Sequence, residues 1–233
     1  MKILLIGYGK MGKVLEEVAL ARGHEIAGRI DLGFAGDFPS ADVAIEFTQP
    51  ESAVDNIKKC IDQKIPVVSG TTGWLARKEE VHLYCNERNG SLFYASNFSL
   101  GVNLFFHLNE QLARLMNGRQ GYDVSIEEVH HTQKKDAPSG TAITLAEGII
   151  RNYPGKTGWT THENSGQQEI AIASKRLDPV PGTHTVIYHS AVDDLEIRHT
   201  AHSREGFALG AVLVAEWLPG KTGVKTMNDF LKF

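Results

Sequence analysis

The stretch from Glu127 to Ala142, EEVHHTQKKDAPSGTA, sets His130, His131, Lys134 and Lys135 directly ahead of a helix start. A histidine titrates near neutrality and can give or take a proton, so His130 and His131 are candidates for acid–base work. Pro138 sets a turn, and Ser139 or Thr141 can cap the helix that follows. The backbone amides of Ser139, Gly140 and Thr141 at such a start, together with the charge on Lys134, make a carboxylate site. A solvated polar loop before a capped helix would use the same residue types. The rest of the chain has to decide between the two.

A second candidate site lies at the N-terminus. Gly7-Tyr8-Gly9-Lys10-Met11-Gly12 fits the pattern G-x-G-x-x-G, follows the apolar run Ile3 to Ile6 and precedes a helical pattern. Gly7 permits the tight turn, Gly9 lets the backbone approach a pyrophosphate, and Gly12 lets the helix pack close to the strand. The helix N-terminus then offers unpaired N–H groups and a partial positive charge to phosphates. Asp31 ends the next apolar run, where a carboxylate can accept hydrogen bonds from the adenosine ribose. A 2′-phosphate would meet Asp31 as a like charge, at a cost of about 4 kcal/mol at ~4 Å for an effective dielectric of ~20. Leu32 follows where a phosphate-binding arginine would sit, although Arg29 and Lys10 are near enough in sequence to compensate. NADH is the expected cofactor and NADPH the alternative. Gly155-Lys156-Thr157 and Gly220-Lys221-Thr222 echo the end of a P-loop but lack its earlier glycine, and read as loops.

These residues need a scaffold, and the hydrophobic pattern supplies one. Ile3 to Ile6, Glu25 to Ile30, Asp42 to Phe47, Pro66 to Gly70 and Ser91 to Ser96 read as strands. Helical patterns separate them at Met11 to Arg22, Pro50 to Gln63 and Leu75 to Arg88. Such alternation predicts a parallel sheet covered on both faces, a Rossmann-like dinucleotide-binding domain over residues 1–100. After a helix expected around Leu104 to Met116, Asp123 to Val129 leads into the His-His motif, and a helix is expected from Thr141 to Asn152. QEIAIASKR, HTVIYHS and DLEIRHTAHS then alternate apolar and polar residues with no helix between them. Residues 101–203 are therefore expected to form an α+β domain with a mixed or antiparallel sheet. A C-terminal helix within residues 204–233 is expected to return to the first domain.

The pattern E-x-H-H-x-x-K-x-D-A-P-S-G-T-A, met by Glu128 to Ala142, resembles the 4-hydroxy-tetrahydrodipicolinate reductase family, also called dihydrodipicolinate reductases. The resemblance extends to Gly70-Thr71-Thr72-Gly73, to Ala95 through Asn103 (ASNFSLGVN) and to EIRHTAHSREGFALGA, in the family's order from end to end. It implies that His130 is a proton donor/acceptor and Lys134 a second proton donor. It implies substrate contacts from His131, Ser139, Gly140 and Thr141. Dinucleotide contacts are implied for Gly7 to Gly12, Asp31, Gly70, Thr71, Thr72, Ala95, Ser96, Asn97 and Phe98. The family reduces a cyclic imine dicarboxylate with NAD(P)H in diaminopimelate and lysine biosynthesis, commonly as a homotetramer joined through the substrate-domain sheet. The chain departs from the family pattern in its compact glycine loop and in a short stretch from Asp31 to Ala41, and the second departure shortens the adenosine side.

The totals exclude other classes. A chain of 233 residues with 22% charged residues and a net charge of −4 has no basic surplus for nucleic acid or anionic membranes. Its longest apolar run, between Glu205 and Glu216, is far short of a bilayer span. The two isolated cysteines, Cys60 and Cys85, read as ordinary thiols of a cytoplasmic protein. A metal site on His130 and His131, helped by His199 or His202, is not expected, because adjacent residues rarely point at one ion and no carboxylate or third histidine is expected at helical spacing from them. Arg198, His199 and Arg204 face either the substrate carboxylates or structural partners. Two other functions compete with the reductase: a dehydrogenase of another imine or keto acid, and a non-catalytic NAD-binding regulator. The regulator would have no reason to keep His130, Lys134 and the Asp136–Thr141 turn together.

Overall fold

The computed structural model describes residues 1–31, 33–162, 166–203 and 205–233. The chain opens with β1 (Lys2–Ile6), α1 (Lys10–Ala21), β2 (Glu25–Ile30), β3 (Val43–Glu46), α2 (Pro50–Asp62) and β4 (Val67–Ser69). One 3₁₀ turn (Leu75–Arg77) leads into α3 (Lys78–Glu87), β5 (Ser91–Tyr94), α4 (Leu100–Met116), β6 (Asp123–His130) and α5 (Gly140–Asn152). Then come β7 (Gly158–Thr160), β8 (Glu169–Arg176), β9 (Gly182–His189), β10 (Asp194–Ala201), α6 (Glu205–Trp217), β11 (Gly223–Lys225) and α7 (Met227–Leu231). Two compact units result, Met1–Leu100 with Glu205–Phe233, and Gly101–Arg204.

In the first unit six strands form one parallel sheet in the order β11-β5-β4-β3-β1-β2. Alternate residues of its central strands bury opposite faces. Ile3, Leu5, Val43, Ile45, Val68 and Phe93 pack with α1 and α6, while Leu4, Ile6, Ala44, Val67 and Leu92 pack with α2 and α3. The strands therefore read as continuous apolar runs, as a doubly covered sheet requires. Helix α6 comes close at a glycine: a Cβ on Gly210 would stand 1.8 Å from the Phe98 carbonyl oxygen. Chain order reverses between β1 and β3, which opens a crevice at the carboxyl ends of those strands.

The second unit holds a mixed sheet in the order β10-β9-β6-β8-β7. β6 runs antiparallel to β9 and parallel to β8. Val124, Ile126, Ile170, Ile172, Val186 and Tyr188 pack against Phe105, Leu112, Ala113 and Met116 of α4 and Leu145, Ala146 and Ile149 of α5.

The expected elements differ from the observed ones in a few places. Helix α4 starts at Leu100 rather than Leu104; Gly101 costs about 1 kcal/mol of helix propensity, which burial of Val102 offsets. Residues 204–233 are not one helix: β11 joins the sheet edge beside β5, and α7 follows with a capping box between Thr226 and Asp229. β11 and β7 are too short to carry a readable alternation.

Candidate functional site

The first unit carries a cleft of about 440 Å³ lined by Gly7 to Gly12, Asp31, Gly33, Phe34, Phe38, Phe47, Thr48, Gln49, Ser52, Asn56 and Lys59. It sits at the β1/β3 reversal. Gly7 adopts φ +93°, and a Cβ there would stand 2.0 Å from the Phe47 carbonyl oxygen. A Cβ on Gly12 would stand 2.3 Å from the Gly7 carbonyl oxygen, so this glycine brings α1 onto the loop. Gly9 has no atom within 4 Å of its Cβ position, leaving its backbone open to a ligand. The residues thus fit a dinucleotide: a bare backbone at a helix N-terminus for the diphosphate, and a carboxylate at the end of β2 for a ribose.

Two cations near this cleft, Arg29 and Lys59, are held by protein partners, and Lys10 also lines it. Arg29 grips Glu16 of α1 through two nitrogens, Nε at 3.0 Å, and Glu16 also accepts from the Tyr8 hydroxyl. The Arg29 and Tyr8 hydrogen bonds hold the Glu16 carboxyl down at about 2. Lys59, which sequence reasoning missed, donates to the Gly36 carbonyl and lies 4.2 Å from the Phe38 ring centroid. Its sequence position inside α2 gave no signal. Leu32 lies outside the described residues.

Gly70 to Thr72 and Ala95 to Phe98 follow β4 and β5 of the same sheet but do not line that cleft. A Cβ on Gly70 would stand 2.2 Å from the Phe47 ring. The Thr71 hydroxyl is buried, donating to Glu46 at 2.7 Å and accepting from Thr48 N–H at 2.7 Å. Glu46 also takes the Ser69 hydroxyl at 2.6 Å, which fixes the ends of β3 and β4 together. Phe98 is a core residue beside Phe47 and Phe93, and Asn97 accepts from Ser99 N–H at 2.9 Å. Ser96 is exposed.

In the second unit β6 alternates with period two, and Val124, Ile126, Glu128 and His130 all point inward. The apolar face of the strand thus becomes a buried polar face at its end. Register places His184 of β9 and Ser174 of β8 on either side of Glu128, and Arg176 beside His130. Glu128 is wholly buried; it accepts from Ser139 N–H at 3.1 Å and the Ser174 hydroxyl at 2.8 Å, with Arg176 Nη2 at 3.4 Å. Burial alone would push the Glu128 carboxyl up, but its hydrogen bonds with His184, Ser139 and Ser174 win and hold it well below the usual range. His184 Nε2 lies 3.0 Å from the Ser139 hydroxyl. Burial lowers His130 to about 4, the His184, Lys134 and Arg176 charges act in the same direction, and Glu128 opposes them.

Ser139 caps α5, its hydroxyl accepting from Ala142 N–H at 3.2 Å. With Ser139 N–H committed to Glu128, the amides of Gly140 and Thr141 remain without a partner among the described residues. The loop ahead of the cap is pinned from two sides. Arg176 donates to the Lys134 and Asp136 carbonyls, at 3.3 and 2.7 Å, and Asp178 takes both the N–H and the hydroxyl of Thr132. The Lys134 ammonium meets both Asp136 oxygens at 2.8 Å. His131 is half-buried and lines a separate 320 Å³ cavity with Gln133, Asp178 to Pro181 and Ser203. Lys135 is exposed.

The expected objection to a metal, that no carboxylate lies at helical spacing from the histidines, misjudged the element. On a strand, residues two apart share a face, and the donor atoms of Glu128, His130 and His184 lie within 4.8 Å of one another. His131 is not part of that group. Arg198 pairs with Glu196 at 2.8 Å, and the His199 ring centroid lies 6.0 Å from that of Phe105. Arg204 lies outside the described residues. Glu128, Ser174, Arg176, Asp178 and His184 were not identified from the sequence. The period-two spacing of Glu128 and His130 was the one readable signal; the others come from strands far along the chain.

Over residues 1–98 the chain matches the N-terminal domain of dihydrodipicolinate reductase, and over residues 101–231 the C-terminal domain. The chain belongs to the dihydrodipicolinate reductase family. It is 50% identical to a 4-hydroxy-tetrahydrodipicolinate reductase of Christiangramia forsetii, over 99% of this chain and 98% of that one. A reductase of the same name from Neisseria meningitidis serogroup C is 36% identical over 93% of this chain and 83% of that one. The fold resembles a dipicolinate-bound dihydrodipicolinate reductase from Paenisporosarcina sp. TG-14, with a TM-score of 0.79 and 22% identity over 97% of each chain. As a family member the chain is an oxidoreductase that uses NAD(P)H, which favours the reductase reading over another dehydrogenase or a regulatory module. Among the described residues no helix is long and apolar enough to cross a membrane.

Proposed function

We propose that this chain reduces the cyclic imine dicarboxylate derived from 4-hydroxy-tetrahydrodipicolinate to tetrahydrodipicolinate, within diaminopimelate and lysine biosynthesis, with His130 and Lys134 supplying protons. The observation that carries the assignment of roles is the pair of unpartnered amides at Gly140 and Thr141, next to the Ser139 N–H that bonds the same buried carboxylate His130 lies against. Two N–H groups at a helix N-terminus suit a carboxylate, and Lys134 answers a second one by exchanging Asp136 for substrate. Reduced nicotinamide supplies the hydride when bound. The enamine-like ring left by hydride addition needs a proton, and a positioned acid is worth about 10²- to 10⁴-fold in rate. His130 is neutral in the free protein, and the two negative charges of a bound dicarboxylate favour its imidazolium. His131 contributes to the substrate side beside the Asp178–Pro181 loop.

Residues 1–100, with the C-terminal segment, act as the dinucleotide domain, and residues 101–203 as the substrate and oligomerisation domain. NADH is the preferred cofactor: Asp31 lines the cleft, and the arginine nearest to it in sequence is spent on Glu16. Exposed Leu177, Val192 and Leu195, on or beside the substrate-domain sheet, support a homotetramer joined through it, and a place in amino-acid biosynthesis supports the cytoplasm as its compartment. Paired assays with NADH and NADPH on freshly generated substrate test the reaction and the cofactor together. Absence of any absorbance loss at 340 nm with both cofactors would remove the reductase assignment.

A further inference from the structure

Glu128 is the most constrained charge in the second unit, and its position asks for a reason. A buried carboxylate costs several kcal/mol unless its partners compensate, and fixing Ser139 N–H requires only a neutral acceptor. Its Oε2 lies between two imidazoles, 3.5 Å from His130 Nδ1 and 3.6 Å from His184 Nε2. His130 Nδ1 is buried and makes no hydrogen bond in the free protein, so the carboxylate is the polar group it has in reach. The other ring nitrogen, Nε2, lies 3.1 Å from where a Cβ on Gly182 would stand. The charged or titratable groups facing His130 are Glu128 on its own strand, His184 on β9, Arg176 on β8 and Lys134 on the loop. Glu128 is the one that favours a positive imidazole.

We propose that Glu128 is a positioning residue for the proton transfer, turning His130 so that Nδ1–H faces the carboxylate and Nε2 serves the substrate. His184, tied to the Ser139 hydroxyl, keeps the carboxylate from swinging away. The inference rests on His130 being the acid. Binding of the dicarboxylate draws one proton from water onto His130. In the transfer the Nε2–H bond breaks, the proton goes to the reduced ring, and its electron pair stays on the imidazole. Nδ1 keeps its hydrogen throughout, and Glu128 stays ionised. An acid held by a carboxylate on its far nitrogen is a recurring arrangement for fixing tautomer and orientation.

Nitrogen-15 NMR of the histidine-labelled free protein near neutral pH, where His130 is uncharged, reads the tautomer directly. Nδ1 of His130 is expected to carry a proton in the unmodified protein. Glu128→Gln should leave a mixed tautomer, lower kcat roughly 10- to 100-fold and leave the KM for NADH unmoved. The reacting form is the imidazolium, so kcat falls as pH rises through its pKa in the complex. Removing the carboxylate lowers that pKa, and the basic limb of the kcat profile should move about one pH unit to the acid side. Glu128→Asp should restore the limb even if turnover stays reduced, a recovery that a purely structural role does not give. An unchanged tautomer and limb in Glu128→Gln would overturn the proposal. If that variant does not fold, an Nδ1 without a proton in the unmodified free protein overturns it instead. Failure of the underlying acid role is separable, because His130→Gln would then retain near-normal turnover.

Discussion

Gly7, Gly9 and Gly12 serve the first unit by lacking a Cβ, whereas Glu128, His130, His184 and Arg176 serve the second by charge and ring nitrogens. The first cleft offers backbone to a ligand whose diphosphate is always the same, so shape and a helix terminus suffice. The second site must move a proton and hold carboxylates, which requires titratable groups in fixed orientations. One half is consequently local in sequence, and the other is assembled across strands β6, β8 and β9.

The sharpest break between the halves comes from removing an acid. His130→Gln or Lys134→Ala should lower turnover by about 10²- to 10⁴-fold while NADH affinity, read by fluorescence titration, stays within about twofold. Near-normal turnover would take that residue out of the proton chemistry. A parallel loss of NADH affinity would mean that the two halves are not separable in function.

Gly140→Pro tests the amide pair without disturbing the helix. Gly140 is the first residue of α5, where proline is tolerated, and Ser139 before it is extended at φ −69° and ψ 155°, as a residue preceding proline should be. The change deletes one N–H donor. A hydrogen bond to a charged group contributes about 1.5–3 kcal/mol, so dipicolinate affinity and substrate KM should worsen roughly 10- to 100-fold at unchanged melting temperature. Unchanged affinity would show that this amide does not hold the carboxylate.

Asp31→Ala addresses the first half and its cofactor. NADH should weaken by about tenfold, the value of one charge-assisted hydrogen bond, and NADPH by less. Should NADPH suffer more, Asp31 would not be the ribose ligand.

The same contrast explains what could be read from the chain alone. The glycine loop, the strand before it and Asp31 lie within the first 31 residues, and each follows from local rules of turn geometry and hydrophobic period. The substrate half was legible at His130, Lys134 and the Ser139 cap because one contiguous motif carries them. His184 and Arg176 enter through register, which no local pattern encodes. Glu128 stood two residues from His130 all along. It passed as an ordinary motif acid, because helical spacing was weighed for the histidine pair where strand spacing applies.

The smallest effect concerns stability, and it separates the halves by pH. Burial lowers His130 to about 4 in the folded chain, against an ordinary value of about 6.5. The unfolded chain therefore binds this proton more readily, and the folded state loses stability as pH falls from about 6.5 towards 4. Glu128 adds to the trend lower down: its carboxyl is held low when folded, so its contribution is present above its ordinary value and fades as pH drops below it. Between pH 7 and pH 5 the histidine term should amount to on the order of 1 kcal/mol, read as an acid shift in the urea midpoint. His130→Gln has no such proton to take up, so its midpoint should fall less over that interval than the parent's. Single-tryptophan variants that keep Trp159 or Trp217 report on the second and first units respectively, and the difference should appear in the second. Equal losses in parent and variant would mean that His130 is not held neutral by its burial, and the case for proton uptake on dicarboxylate binding would go with it.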